Sequence, residues 1–255
     1  MKRIFIAAPL HTLLLCFFFL SHVLLSAQNK TKEDSTVGIQ YTDFVYKKSI
    51  KTIQLHAPDF ELSQPIIQMN SGETLKLGFD DLSAELENYS YTFIHCNANW
   101  EPSDLMSSEF IDGFADNSMT EYHYSRNTIQ KYIHYNATFP TNSTRFTKSG
   151  NYILKVYKDN DPDDLVLTRR FMISDNKVNI TGRVAAASII ADRNYKQEID
   201  FTIEYTGYVI NNPYGDLNVF LTQNNHWNNV KSGLKPVYVK DQQLVYDYDE
   251  QNVFS

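Results

Sequence analysis

Apolar and polar positions alternate with a period of two along most of this chain, and no stretch sustains the 3.6-residue repeat of an amphipathic helix. The most apolar of these stretches is 89–96, where Tyr89, Tyr91, Phe93 and His95 fall on one side and Ser90, Thr92, Ile94 and Cys96 on the other. This pattern predicts a central strand covered on both faces. Earlier strands are expected over 39–46 and over 50–57, the latter with Ile53, Leu55 and Ala57 facing inward and closed by Pro58 and Asp59. A short strand follows Pro65 over 66–69. Asn70, Ser71 and Gly72 then turn the chain into 74–79, where Leu75, Leu77 and Phe79 form one buried face. Residues 80–88 have room for a short helical turn. After Cys96 the alternation stops, and Asn97, Asn99, Pro102, Ser103 and Asp104 supply turn chemistry around Trp100 in a long loop that runs to Phe114.

Beyond that loop, 119–124 and 132–139 read as a strand pair across 125–131. The clearest hairpin joins 151–157 to 165–173 through the acidic turn 158–164. Strands and turns in this rhythm predict an all-β fold, an immunoglobulin-like or fibronectin-like β-sandwich over 37–174. Asp175 and Asn176 mark a hinge to a second β domain over 177–255. Its strands are expected at 177–184, around Ile199, Phe201, Ile203 and Tyr205, and at 217–221, 237–240 and 244–248. Five strands seldom close a sandwich, so this second β-sandwich domain is expected to be incomplete, part of a longer chain.

The chain's beginning changes the picture of where it works. Lys2 and Arg3 precede an apolar run over 4–25, which ends in Leu25, Ser26 and Ala27 before Gln28. A secretory signal peptide over 1–27, cleaved between Ala27 and Gln28, is the expected reading, with 28–36 a disordered lead-in. The run is long enough to anchor in a bilayer, but the polar residues directly after Ala27 argue for cleavage and against a membrane span in the mature chain. Lipoprotein processing at Cys16 would need a small residue where Leu15 stands.

Cleavage would remove Lys2 and Arg3 and leave 21 basic against 30 acidic residues, a net charge of −9. An acidic exported chain makes a poor partner for nucleic acid or anionic lipid. Cleavage would also leave Cys96 as the only cysteine, so no internal disulfide can form and burial must hold the fold.

Candidate chemistry is sparse. His95 and Cys96 are strand neighbours on opposite faces and cannot form a thiol–base dyad. Asp159, Asp161, Asp163 and Asp164 place oxygens at alternate positions as a calcium loop does, but Pro162 stands where such a loop turns on glycine and no bidentate Glu follows. His123 and His134 lack zinc spacing. No nucleophile elbow, phosphate-cradling loop or dinucleotide fingerprint is present. No catalytic residue, cofactor or metal ligand is therefore assigned. A hydrolase would need two carboxylates facing one cleft, for which Asp80, Asp81 and Asp104 are the nearest material. Trp100, Leu105, Phe110 and Phe114, large apolar side chains in one loop, form either that loop's own small core or a surface for a partner, and are the candidate partner-binding residues. Aromatic residues make up 14% of the chain. In an exposed row they would suit an exported carbohydrate-binding module, the alternative function.

Five segments, 65–73 (PIIQMNSGE), 91–100 (YTFIHCNANW), 110–114 (FIDGF), 149–157 (SGNYILKVY) and 167–172 (LTRRFM), resemble the plug protein family of the bacterial type IX secretion system. The likeness continues through 233–236 (GLKP) and 244–249 (LVYDYD) and covers roughly 43–254. It implies a periplasmic, non-enzymatic protein of Bacteroidota-type bacteria, associated with the outer membrane. Its partner would be the giant outer-membrane β-barrel translocon, whose periplasmic opening it seals. The resemblance does not itself assign a role to the four loop residues.

Overall fold

The computed structural model describes residues 38–224 and 226–254. The expected leader over 1–27, its cleavage between Ala27 and Gln28 and the lead-in over 28–36 lie outside these residues. Strands dominate, and no helix among the described residues is long and apolar enough to cross a membrane.

The inner strand of one sheet is β4 (Leu75–Asp81), where Leu75, Leu77 and Phe79 are fully buried as the alternation requires. It pairs with β2 (Ile50–His56) on one side and β9 (Ile133–Phe139) on the other, and β9 in turn with β8 (Glu121–Tyr124). All of these pairs are antiparallel. The facing sheet is built on the expected hairpin, β11 (Gly150–Lys158) and β12 (Leu165–Ser174), with β5 (Tyr89–Cys96) on the far side of β11. β1 (Phe44–Val45) and the parallel β3 (Ile66–Gln68) border β12, and β7 (Asn117–Ser118) borders β5. Tyr89, Tyr91 and Phe93 of β5 point between the sheets, where Phe79, Tyr135, Phe139 and Phe171 meet them. The other face of β5 is covered too, since Cys96 is buried beside Ile153 and Trp100.

The second part of the chain forms another antiparallel sheet, ordered β13 (Asn179–Ala186), β14 (Gln197–Glu204), β18 (Gln243–Tyr246) and β17 (Tyr238–Lys240), with β19 (Val253–Phe254) also pairing with β14. Phe201, Ile203, Leu234, Leu244 and Tyr246 make its core. A separate hairpin, β15 (Leu221–Gln223) with β16 (His226–Lys231), completes the region. By their contacts residues Ile39–Ser255 gather as one compact unit.

Several details differ from the sequence reading. The strand expected over 39–46 shrinks to Phe44–Val45. Tyr41 and Asp43 are spent on Arg170, whose side chain donates to Tyr41 O at 2.8 and 3.0 Å and whose backbone N–H donates to Asp43 Oδ1 at 2.7 Å. In β2 the ladder shifts between Lys51 and Gln54, with Thr52 at φ 52°. Ile50 and His56 become its buried positions, while Ile53 and Leu55 are half-covered. No helical turn forms over 80–88. Asp81 instead accepts from the backbone and hydroxyl of Ser83 at 3.0 and 2.8 Å, a local turn that competes with a helix. The chain's one described helix is α1 (Ser107–Phe110), inside the long loop. The strand expected over 217–221 starts only at Leu221, and β16 and β19 lie where no strand was expected.

Candidate functional site

Leaving β5, the chain folds back on itself at once. Asn97 Oδ1 accepts from the backbone of Asn99 and Glu101 at 2.9 and 3.1 Å, and Asn97 N–H donates to Glu101 O at 2.8 Å. This tight turn holds Trp100 at φ 66°, a left-handed conformation that is unusual for so large a side chain. The ring is thereby laid over the outer face of β5, and only 5% of the residue is exposed. The Arg170 guanidinium lies 4.5 Å over the Trp100 ring, a cation–π contact, and Trp227 of β16 meets it edge-on at 5.3 Å. A small cavity of about 200 Å³ opens between Trp100, Trp227, Arg170 and Asp43. Burial pushes the Cys96 thiol up to about 11, so this cysteine is a structural filler and a poor nucleophile.

Further along, α1 is closed by Glu109, whose Oε2 accepts from Met106 N–H at 2.7 Å. Phe110 at its end is buried against His95 and Tyr152, with ring centres 5.7 and 5.8 Å away. The chain continues as β6 (Ile111–Gly113), paired with β10 (Thr144–Phe146). Gly113 is required here, because at φ 103° a Cβ would lie 2.1 Å from Ser143 O. Phe114 N–H donates to Ser143 O at 2.8 Å, and Phe114 O accepts from Thr144 Oγ1 at 2.9 Å. Its backbone pinned in this way, Phe114 holds its ring in solvent, 68% exposed, and Met106 across the loop is 73% exposed.

The structure thus separates the four loop candidates. Trp100 and Phe110 are buried and present no surface for a partner, Leu105 is half-covered against the sandwich core, and Phe114 stands out. Burial of Trp100 also takes this ring out of any exposed aromatic row. The loop's small core is completed by Arg170 and Trp227, residues far away in sequence that no local pattern connects to Trp100. On the far side of β10 lies a cleft of about 600 Å³, with Ile67, Phe146 and Ile173 among its apolar lining and Asn70, Asn142 and Arg145 among its polar lining. It was not foreseen, since its walls come from two separate turns, 69–74 and 140–142, and from strands β3, β10 and β12 beside them.

The remaining candidates do not assemble into a reaction centre. Asp80 and Asp81 point to opposite faces of β4, Asp80 to His134 Nδ1 at 2.6 Å and Asp81 to Tyr89 OH at 2.8 Å. Burial opposes ionisation of Asp81, but its hydrogen bonds from Ser83, Tyr89 and Ser49 outweigh that and hold the carboxyl below its usual range. His95 Nδ1 pairs with Ser103 Oγ at 2.8 Å, turned away from Cys96. The acidic run after Lys158 forms the hairpin turn, with Asp163 N–H donating to Asp161 Oδ1 at 3.0 Å and Asp164 paired with Lys47 at 2.6 Å.

Residues 50–175 match the family model described as the first domain of the type 9 secretion system plug protein. Among solved structures, the chain is similar to a hypothetical protein from Parabacteroides merdae ATCC 43184, at 29% identity and a TM-score of 0.80. That alignment covers 85% of this chain and 55% of the other, so this chain spans about half the length of that protein. No curated protein matches it.

Proposed function

Because residues 50–175 belong to the family of the type 9 secretion system plug protein first domain, we propose that this chain is a non-catalytic plug of that system. It docks on the periplasmic opening of the outer-membrane β-barrel translocon and seals it while no substrate passes. The family match is the observation that carries this reading, and membership itself implies a secretion-related, envelope-associated role.

The physical demands of such a task agree with what the chain offers. A plug must keep its shape under load, which a sandwich with rings from both sheets locked together supplies. It needs a contact element set on rigid backbone. Phe114 and Met106 are exposed on a loop whose backbone is tied to β10, so they can meet a partner with little loss of chain entropy. Of the four loop candidates, Phe114 is the one we retain as a direct contact.

Site-specific photocrosslinking tests the reading. A crosslinker in place of Phe114 is expected to capture a very large outer-membrane barrel protein in cells, whereas one in place of Tyr124, exposed at the edge of the opposite sheet, is not. Equal capture from both positions, or capture from neither, would refute docking through this loop.

A further inference from the structure

The cleft beyond β10 is lined by two chain segments, 67–74 and 140–146, together with Ile173 of β12, and has a volume of about 600 Å³. Its apolar lining is the edge of the sandwich core itself, since Ile67, Phe146 and Ile173 are core residues no more than 8% exposed. Packed residues of this kind keep their places, so the cleft is formed before anything enters it. Two charged side chains line it, one from each segment. Glu73 is the acid, and its Oε2 accepts from the backbone N–H of Gln68 at 2.7 Å, which fixes the carboxylate and leaves Oε1 open. Arg145 is the base. In the ladder it stands opposite Asp112 of β6, yet no ion pair joins the two, and the guanidinium has no hydrogen-bond or acidic partner among the described residues. Nor do Glu73 and Arg145 pair with each other. An exposed acid and an exposed base therefore border one apolar cleft, and neither is neutralised.

The main chain adds a third feature. Thr147 N–H donates to Phe110 O at 2.9 Å and Phe114 N–H to Ser143 O at 2.8 Å, which makes Arg145 the position of β10 that bonds to β6. Phe146 accordingly turns its N–H and C=O away from β6, to the side where the cleft lies. The exposed carboxamides of Asn70 and Asn142 offer further donors and acceptors. By contrast, the outer edge of β3 is closed by its own turn. There Gln68 N–H goes to Glu73, and Gln68 O accepts from the backbone and hydroxyl of Ser71 at 3.3 and 2.7 Å.

We propose that this cleft binds a short peptide with free termini and apolar side chains. The peptide's C-terminal carboxylate meets Arg145, its N-terminal ammonium meets Glu73, and a side chain lies on Ile67, Phe146 and Ile173. A free amino acid carries both charges on one carbon, whereas Glu73 and Arg145 belong to separate segments and are not within ion-pair reach of each other. A dipeptide or tripeptide spans about 7–10 Å and bridges them. A simple organic acid would use Arg145 and leave Glu73 unmatched. Charge-assisted bonds at the two ends, with an apolar contact between, select for length as well as charge.

Calorimetric titration of the full chain with the tripeptide alanyl-leucyl-leucine, alongside its N-acetylated and C-amidated forms, tests the site. The expected result is saturable binding of the free peptide with a Kd of about 10⁻⁵–10⁻³ M, as a ligand of about twenty heavy atoms allows. Each block is expected to weaken binding by about tenfold or more, the worth of a hydrogen bond to a charged group. Arg145→Gln should no longer distinguish free from amidated peptide, while still preferring a free N-terminus. Glu73→Gln, whose amide oxygen still accepts from Gln68, should no longer distinguish free from acetylated peptide. Both positions are exposed, so both variants are expected to melt with the parent. Absence of saturable binding up to about 10 mM peptide, equal binding of free and blocked forms, or variants that discriminate as the parent does would each overturn the proposal. Sensitivity to amidation alone would reduce the cleft to a carboxylate site and overturn the peptide reading as well.

Discussion

The first sandwich and the second sheet are made of similar strands but close their cores in different ways. In the sandwich, Phe93 of one sheet meets Phe139 of the other at 5.0 Å between ring centres, with Phe146 at 4.9 Å and Phe171 at 5.7 Å. Each ring is buried by partners from several strands. In the second sheet, Phe201 stacks on Tyr246 at 4.5 Å, but these two belong to neighbouring strands of the same sheet. What covers them is Leu234 with half-buried Leu217, Val219 and Leu221, mostly irregular chain. β13 shows the consequence. Its Ile180 and Val184 lie in register with Ile203 and Ile199, yet they stand in solvent. Sheet against sheet buries a whole face, whereas loops over a sheet bury the middle and leave the edge wet.

The largest effect is expected from Phe171→Ala. Removing a ring at the centre of the sandwich should cost about 3–5 kcal/mol, read as a lower urea midpoint for the sandwich. Phe201→Ala removes a comparable ring from the second sheet, where the loss should stay local, about 2–4 kcal/mol. Hydrogen exchange is expected to speed up in β14 and β18 while amides of β11 and β12 keep their protection. Faster exchange throughout would mean that the two cores unfold as one and would dissolve the contrast.

Asp81 sharpens the comparison from the polar side. Its carboxyl is held below the usual range, so its stabilising contribution is complete above the unfolded value of about 3.9 and is lost as pH falls through its lower folded value. Asp81→Asn should cost about 1.5–3 kcal/mol at neutral pH, the worth of hydrogen bonds to a charged group. That difference should shrink toward zero in acid, which denaturation curves at a series of pH values can follow. A gap that persists at low pH would assign the effect to packing. The smallest effect on stability is expected from Phe114→Ala, within about 0.5 kcal/mol, because the ring is in solvent. The same change should weaken partner capture.

Much of the sandwich was legible because its strands obey strict alternation. Leu75, Leu77 and Phe79 are buried as read, and the hairpin of β11 and β12 is where its turn chemistry put it. Failures cluster where side chains are spent on distant partners. Residues 39–43 alternate like a strand, but Tyr41 and Asp43 bind Arg170. β16 was missed because His226, Asn228 and Asn229 give it the composition of a loop. At the candidate site, sequence drew attention to the loop over 97–114 and could not say which rings face outward. That depends on the φ of Trp100, on the reach of Arg170 across β12, and on Gly113 lying against Ser143. The grouping of Glu198, Asp200 and Asp247 escaped altogether, since its members meet only through strand register.

The most direct test of the central reading is affinity purification of the tagged full-length protein from the cell envelope, with mass spectrometry of whatever accompanies it. Docking predicts that a very large outer-membrane β-barrel protein comes with the parent chain and is depleted with Phe114→Ala, at unchanged melting temperature. Recovery of the chain alone, under conditions that keep other outer-membrane complexes intact, would contradict it.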